Sequence, residues 1–190
     1  MILVIDNFIK DEKLLNKISK DATFFNDPGE YYWWDGWWNS PINSVKKELI
    51  EYIWGVDCPI NSSYNIAGFE YWTGIQSAVN ADFKDKLDLH IDKDEELMET
   101  VGQMSSPDIG TVYYPEQDSF KGGMLEIYTE GADAAPEVVY AKPNRLIIFE
   151  AGKCLHRVTK VTEGTRKAIA INLWSTEPIG KQSGTFHIEP

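Results

Sequence analysis

Cysteine is scarce in this chain: Cys58 and Cys154 are the only two among 190 residues. Two thiols cannot build a disulfide framework, so a hydrophobic core must hold the fold. Long apolar runs are missing as well. Met1-Ile2-Leu3-Val4-Ile5 is cut off by Asp6 and has no cationic stretch before it, and no later run is long enough to span a bilayer. These absences lead to the expectation of a cytoplasmic, reduced protein with no membrane partner. Positive charge is also short, with 18 Lys and Arg against 30 Asp and Glu and a formal net charge of −12. Phosphate contacts need clustered cations, so nucleic acid is excluded as a general partner. A basic peptide or a small neutral substrate is compatible with such a field.

The composition that remains, 43% hydrophobic and 13% aromatic, is that of a folded domain with a sizeable core. Its pattern divides into a helical front and a strand-rich back, with no internal repeat. Residues 1–8 read as a strand. Lys10-Asp11-Glu12 then opens a helix with Leu14, Leu15 and Ile18 on one face. Asn43-Ser44 is an N-cap for a second helix through Ile53, closed by Gly55. Strand patterns follow at 64–72, 86–91, 109–114, 124–128, 138–140, 145–149, 156–161 and 167–174. About eight short strands predict a double antiparallel sheet of the jelly-roll type, with the front helices covering one face. The expected division is one domain: a helical flank over 1–62, a jelly-roll core over 63–175 and a tail over 176–190.

Chemistry enters at Leu87-Asp88-Leu89-His90-Ile91-Asp92, where polar and apolar residues alternate. Residues two apart on a strand project from one face, so His90 and Asp92 can converge on one point. With His156 from a later strand they form the two-histidine, one-carboxylate set of a non-haem iron(II) site. The third histidine, His187, sits in the tail and is given a structural or solvent role. Cys154, two before His156, is either a further ligand or a small core residue. Arg166 follows His156 by ten positions, across the turn-like Thr162-Glu163-Gly164-Thr165. A guanidinium placed there could clamp a carboxylate bidentately. The acidic run after Asp92 lacks the glycine and spacing of an EF-hand, which sets aside a calcium loop.

The chain resembles the iron(II)/2-oxoglutarate-dependent dioxygenases, most closely their prolyl 4-hydroxylase-like branch. The resemblance runs from the opening strand and helix through Leu89-His90-Ile91-Asp92, Gly110-Thr111-Val112-Tyr113-Tyr114-Pro115 and Gly122-Gly123-Met124-Leu125. It closes with Arg145-Leu146-Ile147-Ile148-Phe149, His156-Arg157-Val158 and Arg166-Lys167-Ala168-Ile169. It implies a double-stranded β-helix, Fe(II) held by His90, Asp92 and His156, and 2-oxoglutarate as co-substrate with its distal carboxylate on Arg166. Ascorbate is an optional addition to that set. Tyr114 matches the family tyrosine that helps hold the distal carboxylate; a packing role is the alternative. The implied reaction couples decarboxylation of 2-oxoglutarate to succinate with hydroxylation of a substrate, first of all a prolyl residue in a peptide or protein. Relatives that transfer halide lack the carboxylate ligand, so Asp92 points to hydroxylation.

Other assignments stay open at this stage. Tyr71 either lines the co-substrate pocket or packs. Trp174 shares the even parity of Arg166 and is a candidate substrate wall. Trp33, Trp34, Trp37 and Trp38 form either a platform for a proline-containing peptide or a satellite core under the helices. Residues 93–108 form either a lid, with a short acidic helix in its first half, or a surface insertion. The same chemistry on a free amino acid or small metabolite, and a non-catalytic cupin-like binding protein, are the competing functions.

Overall fold

Two antiparallel sheets face each other in the computed structural model, which describes residues 1–21, 23–55, 65–116 and 118–182. The larger has six strands in the order β1 (Ile2–Asp6), β9 (Arg145–Phe149), β5 (Ile109–Tyr114), β12 (Thr165–Trp174), β3 (Gly68–Ser77) and β2 (Tyr32–Trp34). The smaller has four: β4 (Leu87–His90), β10 (Leu155–Val158), β7 (Leu125–Tyr128) and β8 (Glu137–Val139). A two-stranded ribbon of β11 (Val161–Glu163) and β6 (Lys121–Gly122) completes the described strands. This is the jelly-roll architecture expected from the strand pattern.

Side-chain parity divides the large sheet into two faces. On β9, Leu146 and Ile148 join the helix-side core, while Ile147 and Phe149 enter the layer between the sheets. Strands buried on both faces read as continuous apolar runs, which is why 145–149 carries no polar alternation. The helix side is closed by α1 (Glu12–Lys20) and α2 (Val45–Trp54). Asp11 caps α1 by accepting from Lys13 N–H, and Leu14 and Ile18 are its buried stripe. Ser44 caps α2, whose Leu49, Ile50, Ile53 and Trp54 are buried. Each fully buried side chain of this kind contributes about 1.5–3 kcal/mol by leaving water.

Several boundaries differ from the sequence expectation. The strand predicted over 64–72 begins at Gly68 among the described residues and runs on to Ser77, because β12 pairs with it through Thr165↔Ser77. Gly74 lies inside this ladder, opposite Ala168. The single strand expected over 156–161 is two, β10 and β11, which belong to different sheets. Thr159 marks the change: its N–H donates to Met124 O, and its hydroxyl accepts from Met124 N–H. The turn expected at 162–165 contracts to Gly164, with φ +69°, between two strands. The front segment supplies β1, within the strand expected over 1–8, and also β2, which was not expected, to the large sheet.

The tryptophan cluster packs. Trp34 is buried, Trp37 stacks on Phe69 with centroids 5.7 Å apart, and Trp34, Trp38 and Trp54 also meet the Phe69 ring. Trp38 remains 46% exposed at the edge of that cluster. Within 93–108 lies α3 (Glu95–Val101), a short helix with no buried residue. Its N-cap, Asp94, also accepts from the backbone N–H groups of Ile179 and Gly180, tying the helix to the chain's later part. His187 and Cys58 lie outside the described residues.

Candidate metal and co-substrate site

β10 and β4 are neighbours in the small sheet, with His156 registered directly opposite His90. Their rings lie 4.2 Å apart between centroids. Each imidazole is oriented the same way: Nδ1 meets the carbonyl two residues back, Asp88 O at 2.7 Å for His90 and Cys154 O at 2.9 Å for His156. That contact fixes Nδ1–H as donor and leaves both Nε2 atoms free to converge. They do converge, on Asp92 Oδ1, at 3.4 Å from His90 and 3.5 Å from His156. One donor atom from each of the three residues lies within 4.8 Å of the others.

Asp92 does not reach this point from the strand itself, since β4 ends at His90. Its N–H donates to Ala151 O at 3.0 Å, and its Oδ2 accepts from Asn172 Nδ2 at 3.0 Å. Burial pushes the Asp92 carboxyl pKa up, but the bonds from His156, His90 and Asn172 outweigh it and hold the group ionised. Two imidazoles with free Nε2 atoms and one ionised carboxylate, all on one side, are the donor set that suits Fe(II). Cys154 is buried, its thiol pKa raised by that burial, and the donor cluster does not include it.

Arg166 comes from the opposite sheet. It sits on β12 facing the space between the layers, 2% exposed, with its guanidinium 5.0 Å from the Tyr114 ring centroid. Nη2 donates to the Tyr114 hydroxyl at 2.9 Å, and Nη1 to Gln76 Oε1. Nε is buried with no partner among the described residues. An orphaned buried donor on a cation marks a position awaiting an anion. Gly123, at φ +65°, makes room for this side chain: a Cβ there would meet Arg166 Cδ at 2.8 Å.

One cavity of about 420 Å³ contains both ends, with His90, Asp92 and His156 together with Arg166 and Gln76 in its wall. Between them the lining is apolar, including Val112, Leu125, Phe149, Val158 and Ala168. Phe149 stands edge-on to His156 with centroids 5.0 Å apart. Such a wall keeps water from competing with a ligand.

Two of the sequence candidates lie elsewhere. Tyr71 is on the odd-numbered face of β3, stacked on Tyr32 in the helix-side core, and does not line the cavity. Even-numbered Gln76 takes the place expected of it. Trp174 does share the face of Arg166, but it is 1% exposed and lines neither cavity at the site; its Nε1 donates to Glu70 Oε2 at 3.3 Å. It supports the site from behind instead of forming its wall. Gln76, Asn172 and Glu70 were missed. Asn172 was reachable, being six residues after Arg166 on the same strand face; Gln76 was hidden by the misplaced end of β3.

Residues 76–175, just over half of the chain, match the family model of the 2OG-Fe(II) oxygenase superfamily. The chain belongs to that superfamily. It is a 2-oxoglutarate-dependent dioxygenase whose cofactor and co-substrate are Fe(II) and 2-oxoglutarate, which sets aside the non-catalytic cupin-like alternative. No curated protein matches the chain. Among solved structures it is similar to a prolyl-4-hydroxylase from Pseudomonas putida, with 14% identity, 93% of each chain covered and a TM-score of 0.63. A prolyl hydroxylase from Trichoplax adhaerens, in complex with a hypoxia inducible factor oxygen degradation domain peptide fragment, is 16% identical over 97% of this chain and 87% of that one, with a TM-score of 0.50. A prolyl 4-hydroxylase from Phytophthora capsici gives 13% identity and a TM-score of 0.53 over 90% of this chain and 58% of that one. At these identities the likeness is one of fold. No helix among the described residues is long and apolar enough to cross a membrane.

Proposed function

We propose that the protein hydroxylates a prolyl residue in a peptide or protein substrate, with Fe(II) on His90, Asp92 and His156 and 2-oxoglutarate spanning from that centre to Arg166. The observation that carries this reading is the single cavity with a three-donor cluster and a half-satisfied buried guanidinium in its wall. The prolyl assignment is supported by the fold it shares with the prolyl hydroxylases.

When bound, Fe(II) and 2-oxoglutarate supply the oxygen chemistry, releasing succinate and CO2. The chain's own residues do the rest. His90 and His156 turn Nε2 toward the metal position because Nδ1 of each meets a backbone carbonyl. Asn172 holds the Asp92 carboxylate in place through Oδ2. Tyr114 and Gln76 take one terminal nitrogen each of Arg166, fixing the guanidinium plane while leaving Nε and the remaining N–H groups for the distal carboxylate. The apolar lining excludes bulk water from the reacting carbon.

The direct test is incubation of the protein with Fe(II), ascorbate, 2-oxoglutarate and proline-containing peptides, followed by mass spectrometry. Succinate release together with one added oxygen on proline is the expected result. Succinate released with an added oxygen only on free amino acids or other small metabolites would reassign the substrate.

Metal binding carries a pH signature. In the metal-free protein burial pushes the His90 pKa down, but the contacts with Asp92 and Asp88 O outweigh it, so the proton is held to a higher pH than on an ordinary imidazole. The proton must leave before Nε2 can bind a metal, so affinity rises with pH through that raised value. Asp92 is ionised throughout and adds no slope. Mn(II) titrations between about pH 5.5 and 8 check this; a flat affinity would remove His90 from the donor set.

A further inference from the structure

A second cavity, of about 180 Å³, adjoins the first: Tyr31, Trp72, His90, Asp92 and Asn172 line both. Its own wall includes Glu70 from β3, a carboxylate that the proposed metal and co-substrate contacts do not use. Both hydrogen bonds to Glu70, from Asn172 Nδ2 at 3.2 Å and Trp174 Nε1 at 3.3 Å, fall on Oε2. Oε1 accepts none from the described residues. The two donors are each 1% exposed, so the carboxylate is held rigidly at the cavity.

Two of the neighbouring charges, Asp94 and Lys93, are already committed. Asp94 caps α3 and accepts from the Ile179 and Gly180 N–H groups. Lys93, the cation in this wall, pairs with Glu95 at 2.6 Å and leaves Glu70 without a counter-charge. Burial therefore raises the Glu70 pKa to about 7, with the Asn172 bond pulling against it and the Asp92 charge adding to it. A cation beside Oε1 would relieve that cost. Tyr31 and Trp72, with centroids 4.9 Å apart, bring two aromatic rings to the same wall. Aromatic faces attract ammonium and guanidinium groups, and the chain's net charge of −12 draws cations in.

We infer that this second chamber receives a cationic nitrogen of the substrate on Glu70, while the carbon to be hydroxylated lies over His90, Asp92 and His156. The inference rests on the function proposed above and deepens it: the substrate is a molecule with an ammonium or guanidinium group close to its target carbon. That group could be a lysine or arginine side chain next to proline in a peptide, or the amino group of a free amino acid.

Anaerobic calorimetry on protein loaded with Mn(II) and 2-oxoglutarate separates these. The peptide probes are Ala-Pro-Lys-Ala, blocked at both ends, and its acetyl-lysine counterpart. The free probes are L-proline amide and its N-acetyl form. The cationic member of at least one pair is expected to bind about tenfold or more tightly than its neutral partner, as a partly desolvated charge pair would. In Glu70→Gln that ratio should fall toward one. A preference confined to the peptide pair assigns the cation to a peptide side chain, and one confined to the free pair assigns it to an amino group. Charge-blind binding, no binding by any probe, or an unchanged preference in Glu70→Gln would overturn the inference. The 2-oxoglutarate titration in the same cell reads the underlying function separately: its failure would overturn both, whereas 2-oxoglutarate binding with charge-blind probes overturns only the cation chamber.

Discussion

His156→Ala is expected to lose divalent metal binding and turnover by more than about 100-fold. Outer partners that merely orient a metal ligand are already worth about 10- to 100-fold, and His156 would be one of three direct donors. Its imidazole is buried between Phe149 and His90, with Nε2 3.5 Å from Asp92 and Nδ1 bonded to Cys154 O. Removing it leaves Asp92 and His90 as a two-donor pair that cannot compete with hexahydrated Fe(II). Anaerobic Fe(II) titration, with Cys154→Ala and His187→Ala measured alongside, reads the effect. Retained binding in His156→Ala, or equal loss in His187→Ala, would move the metal to another donor set. The cysteine variant should bind normally, because its backbone carbonyl, not its thiol, contacts the histidine.

Arg166→Ala should weaken 2-oxoglutarate by about 2–5 kcal/mol, the usual cost of truncating one partner of a buried charge pair. That corresponds to roughly 30-fold to several thousand-fold in Kd. Metal affinity should change far less, since the guanidinium contacts Tyr114 and Gln76 and none of the three donors. Arg166→Lys should recover only part of the loss. A lysine keeps the charge, but one nitrogen cannot serve Tyr114, Gln76 and a carboxylate in the plane that a guanidinium provides. Calorimetry with Mn(II)-loaded protein measures 2-oxoglutarate affinity in both variants, and Mn(II) titration of the metal-free protein measures metal affinity; unchanged 2-oxoglutarate affinity in Arg166→Ala would make the residue a structural tie between β12, β5 and β3.

The parts of the fold legible in the sequence are those governed by local physics. The charged opening at Lys10-Asp11-Glu12 and the cap at Asn43-Ser44 located the starts of both helices to within a residue or two. Apolar, β-branched and aromatic runs bounded by turn residues located 109–114 and 145–149 to the residue. The short strands escaped for an equally local reason: Tyr32–Trp34 and Lys121–Gly122 are too brief to show any period, and become strands only through partners supplied by β3 and β11. Tyr71 was left open between a pocket role and a packing role, and its odd-numbered place on β3 gives it the packing role, stacked on Tyr32 in the helix-side core. Glu70, Trp72 and Gln76, from the even-numbered face of that strand, line the cavities.

By itself the sequence determined the residue types of the site, their order and the spacing of His90 and Asp92. Those are covalent facts, and the chemistry of imidazole, carboxylate and guanidinium follows from them. Only the tertiary structure decided which of them meet. His156 faces His90 because β10 lies beside β4, and Asp92 reaches both although it has left the strand, held by Ala151 and Asn172. Arg166 shares their cavity from the opposite sheet, not from a neighbouring hairpin arm. The pairing of Gln76 with Arg166 and the bridge from Asp92 through Asn172 to Glu70 join residues 80 to 102 positions apart. Contacts at that range depend on sheet order and register, which are set by how the two apolar layers pack over the whole domain and leave no mark in any short window of sequence.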